Sequence, residues 1–169
     1  MLLSLAKIID CPGGTVPFTA ELDLRGLAFG GCFPVTEPVL ASGEVKNTAG
    51  VLRLTGSEKT TLHGVCDRCA AEFDREISFP VQAVLVSELA NDNGEEDLWT
   101  FLLSGNDADL DDILTTAFVL NMDSKLLCRE DCKGLCCHCG KNLNEGPCEC
   151  QPEIDPRFAV LQQLLKDKK

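Results

Sequence analysis

Eight cysteines in this 169-residue chain stand at spacings suited to metal capture. Cys66 and Cys69 form a C-x-x-C pair. Cys128, Cys132, Cys136 and Cys139 follow at intervals of four, four and three, and Cys148 and Cys150 close the set as C-x-C. A thiolate is a soft anionic ligand, and four of them satisfy the tetrahedral preference of Zn²⁺. The eight therefore predict metal ligation at Cys66, Cys69, Cys128, Cys132, Cys136, Cys139, Cys148 and Cys150, with two zinc ions as the expected cofactor. Thiolate-only sites accept iron as well.

The tightest segment is Cys136-Cys137-His138-Cys139-Gly140. Two cysteines three apart wrap one ion as a knuckle, backbone N–H groups aim at the sulfurs, and a glycine after the second cysteine accommodates a positive φ. Cys148 and Cys150 can complete that tetrahedron locally. The second site then joins the Cys66–Cys69 knuckle to Cys128 and Cys132, about sixty residues on. The alternative places both knuckles on one ion and leaves Cys128, Cys132, Cys148 and Cys150 for the other. The first division is preferred, because it asks for only one long-range closure. His138 is a conceivable substitute ligand, and His63 reads as an ordinary strand residue. Cys11, Cys32 and Cys137 are left over and read as small buried hydrophobes.

Other uses of these cysteines fit less well. A disulfide scaffold is disfavoured by the odd total of eleven and by the length of the chain. A dithiol oxidoreductase would need its C-x-x-C to open a helix within a βαβ pattern, whereas Cys66 and Cys69 fall between strands. Nothing marks a catalytic zinc: there is no H-E-x-x-H, and His63 is followed by Gly64-Val65 rather than by the H-x-E of zinc deaminases. Four thiolates per site leave no open position for water, so the expectation is binding rather than catalysis, with no small-molecule substrate.

The net charge is −12. Between Glu76 and Asp123 stand eleven acids and no Lys or Arg. An overall positive field for nucleic acid is thereby excluded. The acidic stretch reads either as a solvated segment or as a docking surface for a basic partner. No apolar run approaches the twenty residues of a membrane span, and the N-terminus lacks the pattern of a signal peptide, so a reducing, cytoplasmic setting is expected.

The elements that must position these cysteines are mostly strands. Gly and Pro punctuate residues 1–35 into short strands and turns. Val39-Leu40, Val45, Val51–Leu54 and Thr60–Leu62 are β-prone, with a turn at Ala49-Gly50, and residues 73–86 make another extended stretch. Their close succession favours antiparallel pairing. Asn91 to Asp97 is a polar, acidic loop. Asp107, Asp109, Asp111 and Asp112 introduce an apolar stripe, which predicts a helix over about 109–121 packed on the sheet. Asp155-Pro156 would cap a C-terminal helix whose buried face is Phe158, Leu161, Leu164 and Leu165. The predicted fold class is α+β: a mainly antiparallel β domain with one packed helix over 1–124, then a small cysteine-rich zinc module with a C-terminal helix over 125–169.

The chain resembles the YceD family of large ribosomal RNA subunit accumulation proteins, in its cysteine-rich metal-binding form. The resemblance rests on Cys66-Asp67-Arg68-Cys69 with Phe73, on CREDCKGLCCHCGKNLNEGPCEC over 128–150, and on Asp155-Pro156-Arg157-Phe158. It departs at Cys137 and at Leu120–Asp123, where prolines are expected. It implies a non-enzymatic role in large-subunit rRNA accumulation and ribosome biogenesis, with ribosomal RNA or a pre-large-subunit particle as partner. Lys125, Arg129, Lys133, Lys141 and Arg157 are the candidate RNA contacts. The competing reading is an acidic adaptor that holds a basic ribosomal protein through Glu95, Glu96 and Asp97.

Overall fold

A computed structural model describes residues 1–87 and 99–150. Seven strands and one helix appear in it: β1 (Leu2–Ser4), β2 (Thr15–Leu22), β3 (Val39–Thr48), β4 (Val51–Val65), β5 (Glu72–Val86), β6 (Trp99–Leu102), β7 (Asp107–Asp109) and α1 (Leu110–Asn121). Strands β2 to β6 form one sheet in sequence order, and β1 pairs with β7 in a two-stranded ribbon. The expected α+β class holds. The mainly antiparallel expectation holds along β2-β3-β4-β5, and β6, a strand the sequence reading did not name, adds a parallel edge beside β5.

Two local devices build the central hairpins. Between β3 and β4, Ala49 and Gly50 both take positive φ, at 52° and 92°, as the tight turn of a twisted hairpin requires. Between β4 and β5 the turn is the first cysteine knuckle itself, and the two strands pair without a break from Val65↔Glu72 to Leu52↔Leu85. The C-x-x-C is therefore carried at the tip of the longest hairpin in the described residues.

Period-two alternation buries Phe18, Ala41, Val45, Leu52, Leu54, Leu62, Val81, Ala83 and Leu85 on one face of the sheet. Helix α1 covers that face with Leu110, Ile113, Leu114, Ala117 and Phe118. Phe118 meets Phe29 and Phe79 edge-to-face, at centroid separations of 6.1 and 5.7 Å. The Asp109 side chain caps the helix by accepting from the Asp111 N–H at 3.1 Å, a role the sequence reading, which counted Asp109 among the acids of the first turn, did not assign. A second, smaller cluster consists of Cys66, Cys69 and Cys132 with Leu127, Cys128 and Phe73, and Phe73 also packs on the main core.

Among the described residues no helix is long and apolar enough to cross a membrane. The acidic loop Asn91–Asp97 and the helix expected from Asp155 lie outside the described residues, as does Arg157.

Candidate metal centres

The first centre is built on the β4–β5 turn. There the Ala70 N–H donates to the Cys66 carbonyl and the Cys66 N–H to the Ala71 carbonyl, each at 2.9 Å. These bonds fold Cys66 and Cys69 toward one another. The two residues inside the knuckle reach across to the later chain. Asp67 grips Leu126 twice: its N–H donates to the Leu126 carbonyl at 2.8 Å, and its carboxylate accepts the Leu126 N–H at 2.7 Å. Leu126 is buried, so this pair places Cys128 beside the knuckle. Arg68 donates to the carbonyls of Glu130 and Cys132 at 3.2 and 3.1 Å, which brings Cys132 in.

The second centre repeats the knuckle. The Gly140 N–H donates to the Cys136 carbonyl and the Cys136 N–H to the Lys141 carbonyl, again at 2.9 Å. The residue after the second cysteine has positive φ in both turns: Ala70 at 54° and Gly140 at 71°. Lys141 closes the following loop by donating from Nζ to the Pro147 carbonyl at 3.0 Å, which delivers Cys148 and Cys150. The two knuckles also touch. The Leu135 N–H donates to the Arg68 carbonyl at 3.1 Å, and a Cβ on Gly134 would stand 2.9 Å from that oxygen.

The sulfurs divide as Cys66, Cys69, Cys128 and Cys132 in one group and Cys136, Cys139, Cys148 and Cys150 in the other, all within 4.8 Å of one another in each. Cys66 and Cys132 are 3.8 Å apart, as are Cys69 and Cys128. A Zn–S bond of about 2.3 Å sets tetrahedral sulfur–sulfur edges of about 3.8 Å. A disulfide bond is only about 2.05 Å long, and all eleven cysteines are free. The two tetrads are thus arranged to hold a metal ion each.

Electrostatics point the same way. Burial pushes the Cys66 thiol up, but the backbone N–H groups of Cys128, Cys69 and Arg68 together outweigh it and bring the thiol down to about 6. The Asn144 amide is the main cause that holds Cys132 below its ordinary value. Burial and then the Cys66 sulfur push Cys128 up to about 12. In the second tetrad the Cys139 and His138 N–H groups hold Cys136 down to about 6, while the Cys139 sulfur and burial push Cys150 up to about 12. Each tetrad so contains at least one thiol that ionises readily and two that resist while their neighbours are charged. A cation among the four removes that resistance.

The leftover cysteines correct the sequence reading. Cys11, Cys32 and Cys137 were expected to be buried, and all three are exposed. Each lies in a turn or loop rather than on a core-facing position, so its apolar character finds nothing to pack against. His63 sits in β4 with its ring Nδ1 2.7 Å from Asp74 Oδ1, outside both tetrads. Of the basic residues, Arg129 reaches Asn144 Oδ1 at 2.7 Å and Asp131 at 3.3 Å, and Lys141 is held by Pro147. Lys125 and Lys133 are exposed and have no side-chain partner among the described residues. Asp67, Arg68 and Asn144 escaped the sequence reading. All three are polar residues in turns, and only the chain that they reach across to gives them a role.

The profile of the family described as "Large ribosomal RNA subunit accumulation protein YceD" matches residues 54–165. An uncharacterized protein of Mycobacterium tuberculosis is 29% identical over 117 residues, which cover 69% of this chain and 56% of that protein. One of Mycobacterium leprae is 29% identical over 131 residues, covering 78% and 55%. The "Large ribosomal RNA subunit accumulation protein YCED homolog 1, chloroplastic" of Zea mays is 27% identical over 178 residues, covering 87% and 60%. The chain spans a little over half the length of these relatives. No solved structure matches it. With the profile covering most of β4, all of β5 and α1, and all eight tetrad cysteines, the chain belongs to the YceD family.

Proposed function

We propose that this chain is a zinc-held, non-enzymatic factor that supports accumulation of large-subunit ribosomal RNA in the cytoplasm. It acts by binding that RNA or the particle that contains it. The observation that carries the reading is the presence of two four-sulfur groups, the sulfurs of each within 4.8 Å of one another, in a member of a family named for large-subunit rRNA. Each cage offers four thiols, which leaves a tetrahedral ion no open position and suits a structural rather than a catalytic role. When bound, zinc at the first centre supplies a cross-link between the β4–β5 hairpin and residues 128–132, and zinc at the second closes 136–150 on itself.

The cation-poor chain should touch RNA weakly and in a salt-sensitive way. Lys125 and Lys133 are the best placed of the basic residues, since Arg129 and Lys141 are engaged within the fold. Untagged protein, purified without chelators, should carry about two zinc ions per chain by elemental analysis. In cells lacking their own copy, the wild-type chain should restore the ratio of large- to small-subunit rRNA, and Cys69→Ser and Cys139→Ser should not. Full restoration by both variants would overturn the proposal.

A further inference from the structure

Asn144 belongs to the loop between Cys139 and Cys148, and so to the second centre, yet its side chain serves the first. Its Nδ2 donates to Cys132 Sγ at 3.3 Å. The carboxamide is fixed in that orientation. Its Oδ1 accepts the Lys133 N–H at 2.9 Å and an Arg129 guanidinium N–H at 2.7 Å, so the oxygen is the atom on that side and the nitrogen faces the sulfur. Asn142 Oδ1 accepts from both the Asn144 N–H and Nδ2, at 3.1 and 2.8 Å. The loop rests on the first centre's chain through Leu143 N–H to the Gly134 carbonyl at 2.9 Å.

We infer that Asn144 is a positioning residue that couples the two metal centres: ordering of its loop by the Cys136–Cys139–Cys148–Cys150 centre presents an N–H donor to Cys132 and so raises the metal affinity of the Cys66–Cys69–Cys128–Cys132 centre. The inference rests on the proposal that both tetrads hold metal. An N–H donated to a ligating sulfur stabilises its charged form, and loss of such an outer contact costs about 10–100-fold in metal affinity. Asn144 makes that donation only while its loop is shaped, and Cys148 and Cys150 close the loop onto an ion. The coupling is reciprocal, since each centre then favours occupation of the other.

The test uses the full chain loaded with Cd²⁺. Cadmium NMR gives each centre its own resonance, assigned through the β-protons of its cysteines, and a competing chelator reads the affinity of the first centre. Disabling the second centre by Cys148→Ser should lower that affinity about 10–100-fold in the wild-type background. In Asn144→Ala the same substitution should change it less than about threefold. Asn144→Asp retains an oxygen toward Arg129 and Lys133 but replaces the donor at the sulfur with an acceptor, and it should abolish the coupling too. Equal losses in the wild-type and Asn144→Ala backgrounds would overturn the inference, as would a coupling that survives in Asn144→Asp. A wild-type chain that takes up Cd²⁺ at neither centre would instead remove the metal reading itself.

Discussion

Ala70 and Gly140 occupy equivalent places in two knuckles that share the same hydrogen bonds, but only one of them is glycine. A Cβ in the left-handed region costs about 1–2 kcal/mol, while a glycine brings roughly 0.5–1 kcal/mol of extra unfolded-state entropy. Gly140→Ala should therefore destabilise the metal-loaded protein by up to about 1.5 kcal/mol. Ala70→Gly should be neutral or stabilise it by up to about 1.5 kcal/mol. Urea denaturation midpoints of the two variants check the opposite signs. Glu58 is a different kind of single-residue stress. It lies on the buried face of β4 between Ala41 and Phe79, 1% exposed, and neither carboxylate oxygen has a hydrogen-bond partner. Loss of hydration pushes its carboxyl up to about 8 from 4.5. Between those values the folded chain holds a proton that the unfolded chain has released, so stability falls as pH rises through the window and the full penalty stands above about 8. Glu58→Gln should thus gain on the wild type between about pH 5 and about pH 9 in chemical denaturation. An unchanged difference between the two pH values would show that Glu58 is not held neutral.

At the scale of elements, the decisive object is the β4–β5 hairpin, whose turn is half of a metal centre. Its strands are held by the main core, so the first knuckle is presented on a rigid support. The later half, Cys128 and Cys132, has no regular structure to place it. Asp67 and Arg68 do this by hydrogen bonds to the backbone of residues 126–132. Asp67→Ala removes a charged acceptor from the Leu126 N–H and should cost about 1.5–3 kcal/mol. The expected local sign is faster hydrogen exchange at Leu126, with the exchange of β3 and the β4 centre unchanged. Uniform acceleration across the sheet would count against this local role.

At the scale of the whole molecule there are two cores of different kinds. The sheet and α1 enclose a continuous apolar cluster from Leu5 to Leu126. The 127–150 segment contributes only sulfur and Leu127 to a small second cluster. Metal binding in small thiolate folds is worth about 10–16 kcal/mol, comparable to the whole stability of an ordinary domain of about 5–15 kcal/mol. Removal of metal by a chelator should therefore unfold 127–150 while the strands keep their protection. Hydrogen exchange measured before and after chelation checks the division, and simultaneous loss of protection in β2 to β5 would contradict it.

Much of this was legible in the residues. The cysteine spacing marked the eight thiols, the β-prone runs marked β3 to β5, and the acids around Leu110 marked α1, because ligand spacing, strand propensity and first-turn charge are local properties of a chain. Other features were settled only in three dimensions. Two groupings of the sulfurs had the same spacing logic, and the choice between them was made by the β4–β5 turn and the Asp67–Leu126 grip. The parallel β6 edge, the burial of Glu58, the exposure of Cys11, Cys32 and Cys137, and the reach of Asn144 to Cys132 belong to the same class. Each depends on which distant segment arrives alongside, and that is decided by packing the whole chain rather than by any short stretch of it.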